Sequence, residues 1–405
     1  MGERVFLAGS TGEPTAFVDA WLKEPERTRG RQVFTSFVPG VNPVPVERFH
    51  AQATLIGVFP YAGSAKDGST ARGDTLPLSY HGVVRALRQG LQIDTVVVHV
   101  SPPDERGFCS FGPAVEFMPQ ILRKVRRVLA VYNDNIPSFP GSVALDADRI
   151  EAFCESSDAL RTYASGPSDS LSKSIGARIA AFIDDDTTIQ VGLGKIPTAL
   201  LECLTERRGL RFHSGLITDR IVPLMKAGAL ASTKHSVSCA MLGGSEFYGW
   251  LRGRDDILVR GCEETHDPVR LAKLDRFVAV NSALEVDLLG QANLEQIDGR
   301  MISSPGGAPD FAYAASQSPD GLSVVALPAL GPKGRSRIVV QLSPGVPVSL
   351  PRHCIDVVVT EYGAADLRGL CVEARAERLA EIAEPSSRVN LLAQWHDRGH
   401  VRKTQ

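Results

Sequence analysis

The sequence predicts an α/β protein made of two similar open domains, each a mostly parallel sheet flanked by helices. Three observations lead there. Short apolar strands alternate with helical segments along the chain, the order that folds into a parallel sheet covered on both faces. A strand, a glycine-rich turn and a helix follow one another at Val5–Ala8, Gly9-Ser10-Thr11-Gly12-Glu13-Pro14 and onward to Trp21, and the same order returns at Thr188–Val191 and Gly192-Leu193-Gly194. Between the two, residues 155–172 are rich in Ser, Gly, Asp and Pro and read as a linker. The expected division is one domain over residues 1–160 and a second over residues 166–405.

The elements follow in order. In the first half, strands are expected at Val33–Val38, Thr54–Phe59, Thr95–Val100 and Val128–Tyr132, with helices at Val83–Gln89 and Ala114–Lys124. The loop 101–112 leaves a strand end and carries two prolines and two glycines, which marks an ordered loop where binding residues collect. A helix over Lys173–Ile183 leads to Asp184-Asp185-Asp186; three consecutive aspartates point in divergent directions, so they read as a solvated turn rather than a metal site. After Gly192-Leu193-Gly194 a helix is expected from Pro197, a favourable first residue, with Leu200, Leu201 and Leu204 at helical spacing. A strand over Leu210–Phe212 then delivers His213-Ser214-Gly215 to a sheet end. Further strands are expected at Ser236–Leu242, Phe277–Val280, Ser323–Leu327 and Val357–Thr360. Ligands of open α/β sheets bind at the carboxyl ends of the strands. The stretch from Gln190 to Arg220 is therefore where chemistry is expected first.

Composition narrows the classes. The chain has 405 residues, 43% of them apolar, and a formal net charge of −2. That material supports two or three domains and offers no basic surface for nucleic acid. The cluster Arg123-Lys124-Arg126-Arg127 reads as a solvated helix face. Seven cysteines lack CxxC or Cys/His ligand spacing and read as reduced thiols, so neither a disulfide frame nor a metal site is expected. No apolar run approaches the ~20 residues that span a bilayer, and Met1-Gly2-Glu3-Arg4-Val5 enters a strand at once. The expectation is a cytoplasmic protein with no membrane partner.

Residues 190–220 also carry a resemblance. QVGLGKIPTALL and RFHSGLITDRIVPL are similar to "QLGIGAIPDAVL" and "GIHSEMISDGVVDL" of the acetyl-CoA hydrolase/transferase family, which includes 4-hydroxybutyrate, succinate and acetate CoA-transferases. The likeness covers nearly the whole chain. NSALEVDLLGQ, the Ser304-Pro305-Gly306-Gly307 turn with Asp310-Phe311, VVTEYGAADLRG and the VSPPDERGFCSFG loop resemble the family's corresponding stretches. What this implies is a coenzyme A thioester as substrate, no covalently bound cofactor, a small acceptor molecule as second partner, and assembly as a homodimer or tetramer.

The resemblance also implies a site. Backbone at Val191, Gly192 and Gly194 and at the Gly306-Gly307 turn, with Asp310 beside it, would contact CoA and the thioester oxygen. Glu361 matches the acid of the family's TEYG motif. The family's glutamate nucleophile, which forms a glutamyl-CoA thioester, falls on Gly215, and glycine cannot carry one. Leu216, Arg220, Ala308-Pro309 and Glu384-Pro385 also depart from the family pattern. His266 stands about where the family places an asparagine near the active site. The catalytic candidates are therefore Glu361, His213, Ser214 and His266, with Glu285 as another carboxylate. Neighbouring side chains on a strand face opposite ways, which argues against a His213–Ser214 pair, and each histidine has a purely structural alternative. Three readings stay open: acyl transfer or hydrolysis without a glutamyl-CoA intermediate, CoA transfer through another carboxylate, and a non-catalytic CoA-binding subunit.

Overall fold

The computed structural model describes residues 2–43, 45–61, 72–164, 166–233 and 235–398. The chain forms two compact units that are discontinuous in sequence. The first gathers Met1–Ala164, His213–Asp219 and Thr233–Asp267; the second gathers Ser165–Phe212, Arg220–Ser232 and Pro268–Gln405. Segments 213–219 and 233–267, which the sequence division puts in 166–405, thus belong to the first unit. Each unit is an open, mostly parallel sheet with helices. Among the described residues no helix is long and apolar enough to cross a membrane.

In the first unit a seven-stranded sheet runs Arg72–Thr75, Thr54–Gly57, Gln32–Thr35, Arg4–Leu7, Thr95–Val100, Arg127–Asn133, Ala152–Ser156. Every pair is parallel. The order reverses between Arg4–Leu7 and Thr95–Val100, so the turn at Gly9–Gly12 stands at the topological switch point. Helix Thr15–Lys23 buries Val18 and Trp21 against Val5, Leu7, Val33 and Leu55. Helix Tyr80–Gln89 buries Tyr80, Val83, Val84 and Leu87, a single face at helical spacing, and Ser79 caps it by accepting from the Gly82 amide at 3.1 Å. The helix expected over 114–124 is only Met118–Leu122. Its first turn is lost because Ala114 bridges to Ala240 and Glu116 adopts φ +45°, outside the helical region.

In the second unit Arg211 and Phe212 pair with Thr188–Val191, and the sheet continues through Phe277–Ser282, Leu322–Ala326 and Val357–Thr360, all parallel, to an antiparallel edge strand Gly363–Asp366. Here the reversal falls between Thr188–Val191 and Phe277–Ser282, which sets Gly192 at the switch point. The glycine turn thus holds the same topological place in both units. Val286, Leu288, Val325, Leu327, Val358 and Trp395 belong to this unit's main core. One expectation is corrected here. The strand beginning at Arg211 does not stop at Phe212 but runs to Thr218, so His213, Ser214 and Gly215 lie within a strand rather than beyond its end. After Thr360 the chain turns back as a hairpin, in which Thr360 pairs with Gly363.

Candidate active site

The carboxyl edge of the second unit collects most of the residues picked out in the sequence. Thr188–Val191 ends in Gly192-Leu193-Gly194. Gly194 has φ +120°, a backbone conformation that favours glycine, and helix Lys195–Glu202 begins directly after it. A Cβ at Gly192 would meet nothing within 4 Å. The backbone is therefore open on the side that a Gly192 side chain would take, and the N-terminus of the helix that follows favours a negative or polarised oxygen. Gly306-Gly307 introduces a second helix, Ala308–Gln317, whose Phe311, Ala314 and Ala315 pack on Phe277 and Ala279. Asp310 sits buried in its first turn.

The next strand ends lead to acids. Phe277–Ser282 is followed by Glu285, half-buried and accepting from Asn293 Nδ2 at 3.3 Å. Leu322–Ala326 is followed by Ala329, whose amide donates to Glu361 Oε2 at 2.8 Å. Glu361 stands on the two-residue turn between Thr360 and Gly363. The Thr360 hydroxyl accepts from the Tyr362 amide at 3.1 Å and donates to the Ile382 carbonyl at 2.6 Å, which fixes that turn. The Glu361 carboxylate is thus aimed by two hydrogen-bonded segments. Gly192 lies three strands away, about 14 Å at the usual strand spacing. The glycine turn and the acid cannot touch the same atom, although a molecule as long as CoA can reach both.

The candidates in the first unit have other surroundings. Ser214 is fully buried and its hydroxyl donates to the Leu216 carbonyl at 2.9 Å. The Gly215 carbonyl accepts from Cys239 Sγ at 2.9 Å. His266 is fully buried, its Nδ1 is 2.9 Å from Thr265 Oγ1, and its ring stands edge-on to Tyr80 at 4.8 Å. Burial, reinforced by His213 and His81, pushes its pKa down to about 3, so the imidazole is neutral. Potential ligand atoms of Cys239, Cys262 and His266 lie within 4.8 Å of one another, close enough to hold a metal ion. Burial pushes the Cys262 thiol well up. The sequence reading expects no metal site and misses this grouping: Cys262 and His266 are four residues apart, but Cys239 reaches them only through tertiary structure.

Sequence reasoning also missed Glu116. It is buried with φ +45°, and it accepts from Ser36 Oγ, from Ser10 Oγ at 3.1 Å and from the Gly9 amide at 3.4 Å. Burial pushes its carboxyl up, against the pull of those donors. Ser10 too has positive φ, +46°, and two such residues bonded to each other mark a locally strained backbone. No local pattern announces this, because the partners come from two distant segments, Gly9-Ser10 and Ser36.

Comparison with known proteins agrees with this architecture. Residues 1–148 match the acetyl-CoA hydrolase/transferase N-terminal domain and residues 243–395 its C-terminal domain. The chain is 30% identical to 4-hydroxybutyrate coenzyme A transferase of Clostridium kluyveri, over 98% of this chain and 94% of that protein. It is 26% identical to a succinyl-CoA:acetate/propanoyl-CoA:succinate CoA transferase of Fasciola hepatica, over 98% and 85%. Among solved structures it resembles RipA from Yersinia pestis, with TM-score 0.90, 27% identity and coverage of 98% and 94%. A 4-hydroxybutyrate CoA-transferase from Porphyromonas gingivalis gives TM-score 0.80, 27% identity and the same coverage. With both domain types matched and nearly the full length aligned, the chain belongs to the acetyl-CoA hydrolase/transferase family.

Proposed function

We propose that this protein binds an acyl-CoA and moves the acyl group to an acceptor molecule, or to water, without forming a glutamyl-CoA intermediate. The observation that carries the reading is that the sequence has glycine at 215, where by resemblance the family's attacking carboxylate falls, while the second unit keeps a Glu361 carboxylate held by the Ala329 amide at 2.8 Å. The acceptor's own nucleophile, or water, attacks the thioester carbonyl while Glu361 takes its proton as general base; the C–S bond then breaks and CoA leaves as the thiolate, which takes up that proton. Amides at the glycine turns steady the oxygen of the thioester; one such donor is typically worth about 10²–10³ in rate. His266, buried and neutral, is assigned a packing part, and Ser214 likewise.

Intact-protein mass spectrometry after incubation with acetyl-CoA tests this reading. The expected result is no CoA adduct. A stable CoA adduct on a carboxylate overturns it and selects the second reading, in which another acid is the nucleophile. Glu285, half-buried on the same edge, is the residue that favours that alternative. Glu285→Gln and Glu361→Gln separate the two, since only a nucleophile's loss removes the adduct. Gly215→Glu adds a further arm: acetate-dependent CoA exchange gained by this variant shows that the remaining machinery is complete. A wild type that binds CoA but turns over no acyl-CoA identifies a binding subunit instead.

A further inference from the structure

Arg337 is held at the carboxyl edge of the second unit by the same backbone that holds its acids. Its amide donates to the Ala329 carbonyl at 2.8 Å, and the Ala329 amide donates to Glu361. Its carbonyl accepts from the Val286 amide at 2.9 Å. Val286 pairs with Ile338 in parallel register, so Arg337 lies opposite Glu285 with its side chain on the same face. Both acids thus flank it. Yet neither closes an ion pair with it: Glu285 is engaged by Asn293 and Glu361 by Ala329. The guanidinium is half-buried, and the loss of water outweighs the pull of both carboxylates, pushing its pKa down. A cation in that state is one that an incoming anion stabilises.

The neighbouring turn leaves room for it. Leu330 bridges to Ser336 across a hairpin, and a Cβ on Gly331 would come within 3.1 Å of Arg337 Nε. Gly331 has an extended backbone at φ −84°, so the absence of a side chain there serves space rather than conformation. Arginine presents a planar fork that matches a carboxylate in two parallel hydrogen bonds.

We propose that Arg337 is an anion anchor that binds the carboxylate of a small organic acid, either the acceptor or the acid end of the acyl group. The proposal deepens the acyl-CoA reading given above and rests on it for the identity of the second ligand. A phosphate of CoA has related chemistry, so the test must tell the two apart.

Titration calorimetry of the full chain with succinate, inorganic phosphate and free CoA does so. Succinate should bind the wild type; Arg337→Gln should raise its Kd at least tenfold while the Kd for CoA stays within about twofold. Arg337→Lys, which keeps the charge but loses the fork, should fall between. Gly331→Val should weaken succinate several-fold by displacing the guanidinium, with the melting temperature of each variant confirming the fold. An unchanged Kd for succinate in Arg337→Gln overturns the proposal, as does wild type that binds no succinate. A parallel loss of CoA, or phosphate binding tighter than succinate through Arg337, assigns the residue to the nucleotide and also overturns it. Failure of wild type to bind CoA sinks the functional reading alone, since the succinate result still decides the role of Arg337.

Discussion

The two units answer the same sheet topology with opposite treatments of charge. At the carboxyl edge of the second, Glu285, Arg337 and Glu361 are half-buried, and Gly192, farther along the same edge, opens on free space. In the first, Glu116, His99 and His266 are almost wholly enclosed, and Glu116 is met by two hydroxyls and an amide. Groups that exchange protons or partners with a ligand must keep some access to it. Groups that are sealed and satisfied contribute a fixed shape. Under the proposed function, this contrast divides the residues expected to react from those expected to hold the fold, even where the residue types are the same.

Substitutions can break or sharpen this contrast. The largest effect is expected at Glu361. Glu361→Gln should lower acyl-CoA turnover by about 10²–10⁴ as general-base loss does, with the denaturation midpoint nearly unchanged. Glu116→Ala should do the reverse. Leaving the Ser10 and Ser36 hydroxyls and the Gly9 amide without their acceptor should cost about 2–4 kcal/mol of stability in urea unfolding, and activity per folded molecule should hold. If Glu116→Ala abolishes turnover while the fold keeps its stability, the two regions have been assigned the wrong way round.

The next effect is on pH dependence. Burial holds His99 at about 4 and His266 at about 3, so the folded state excludes protons that the unfolded chain binds below about pH 6.5. Their contribution is complete above pH 6.5 and is lost as pH falls toward those values. Glu116, pushed up from its ordinary range, has the opposite sign: it contributes at low pH and that contribution fades as pH rises through its raised value. Unfolding free energy should therefore decline on acidification from pH 6.5 to 5, by up to about 1.4 kcal/mol per pH unit for each histidine. His99→Gln should flatten that slope. The smallest effect is steric. Gly192→Val fills the side of the backbone that Gly192 leaves open, and should raise the KM for acyl-CoA roughly tenfold, about 1.4 kcal/mol of binding, with little change in stability.

Much of the fold was legible because its signals are local. The strands Thr95–Val100, Thr188–Val191, Ser236–Leu242 and Val357–Thr360 have the bounds that their apolar runs suggest, and the repeated strand, glycine turn and helix order announced two similar sheets. The continuation of the Arg211 strand through Gly215 was not legible, since a glycine inside a strand reads as its end. Nor was the discontinuity of the units, because which sheet a segment joins is decided by tertiary packing. Of the proposed site, Glu361 and the glycine turns could be named from motifs. Arg337 could not: its importance comes from a register between residues 286 and 338, a relation that no spacing along the chain encodes.

The hairpin that carries Glu361 has a consequence for how such a protein can diversify. Only Glu361 and Tyr362 separate the paired residues Thr360 and Gly363, and adding one residue there would turn the Gly363–Asp366 strand over, exchanging buried Ala365 for its exposed neighbours. That corner tolerates no insertions. An insertion at that turn would move the acid and the edge strand together, so changes in this hairpin are confined to its side chains.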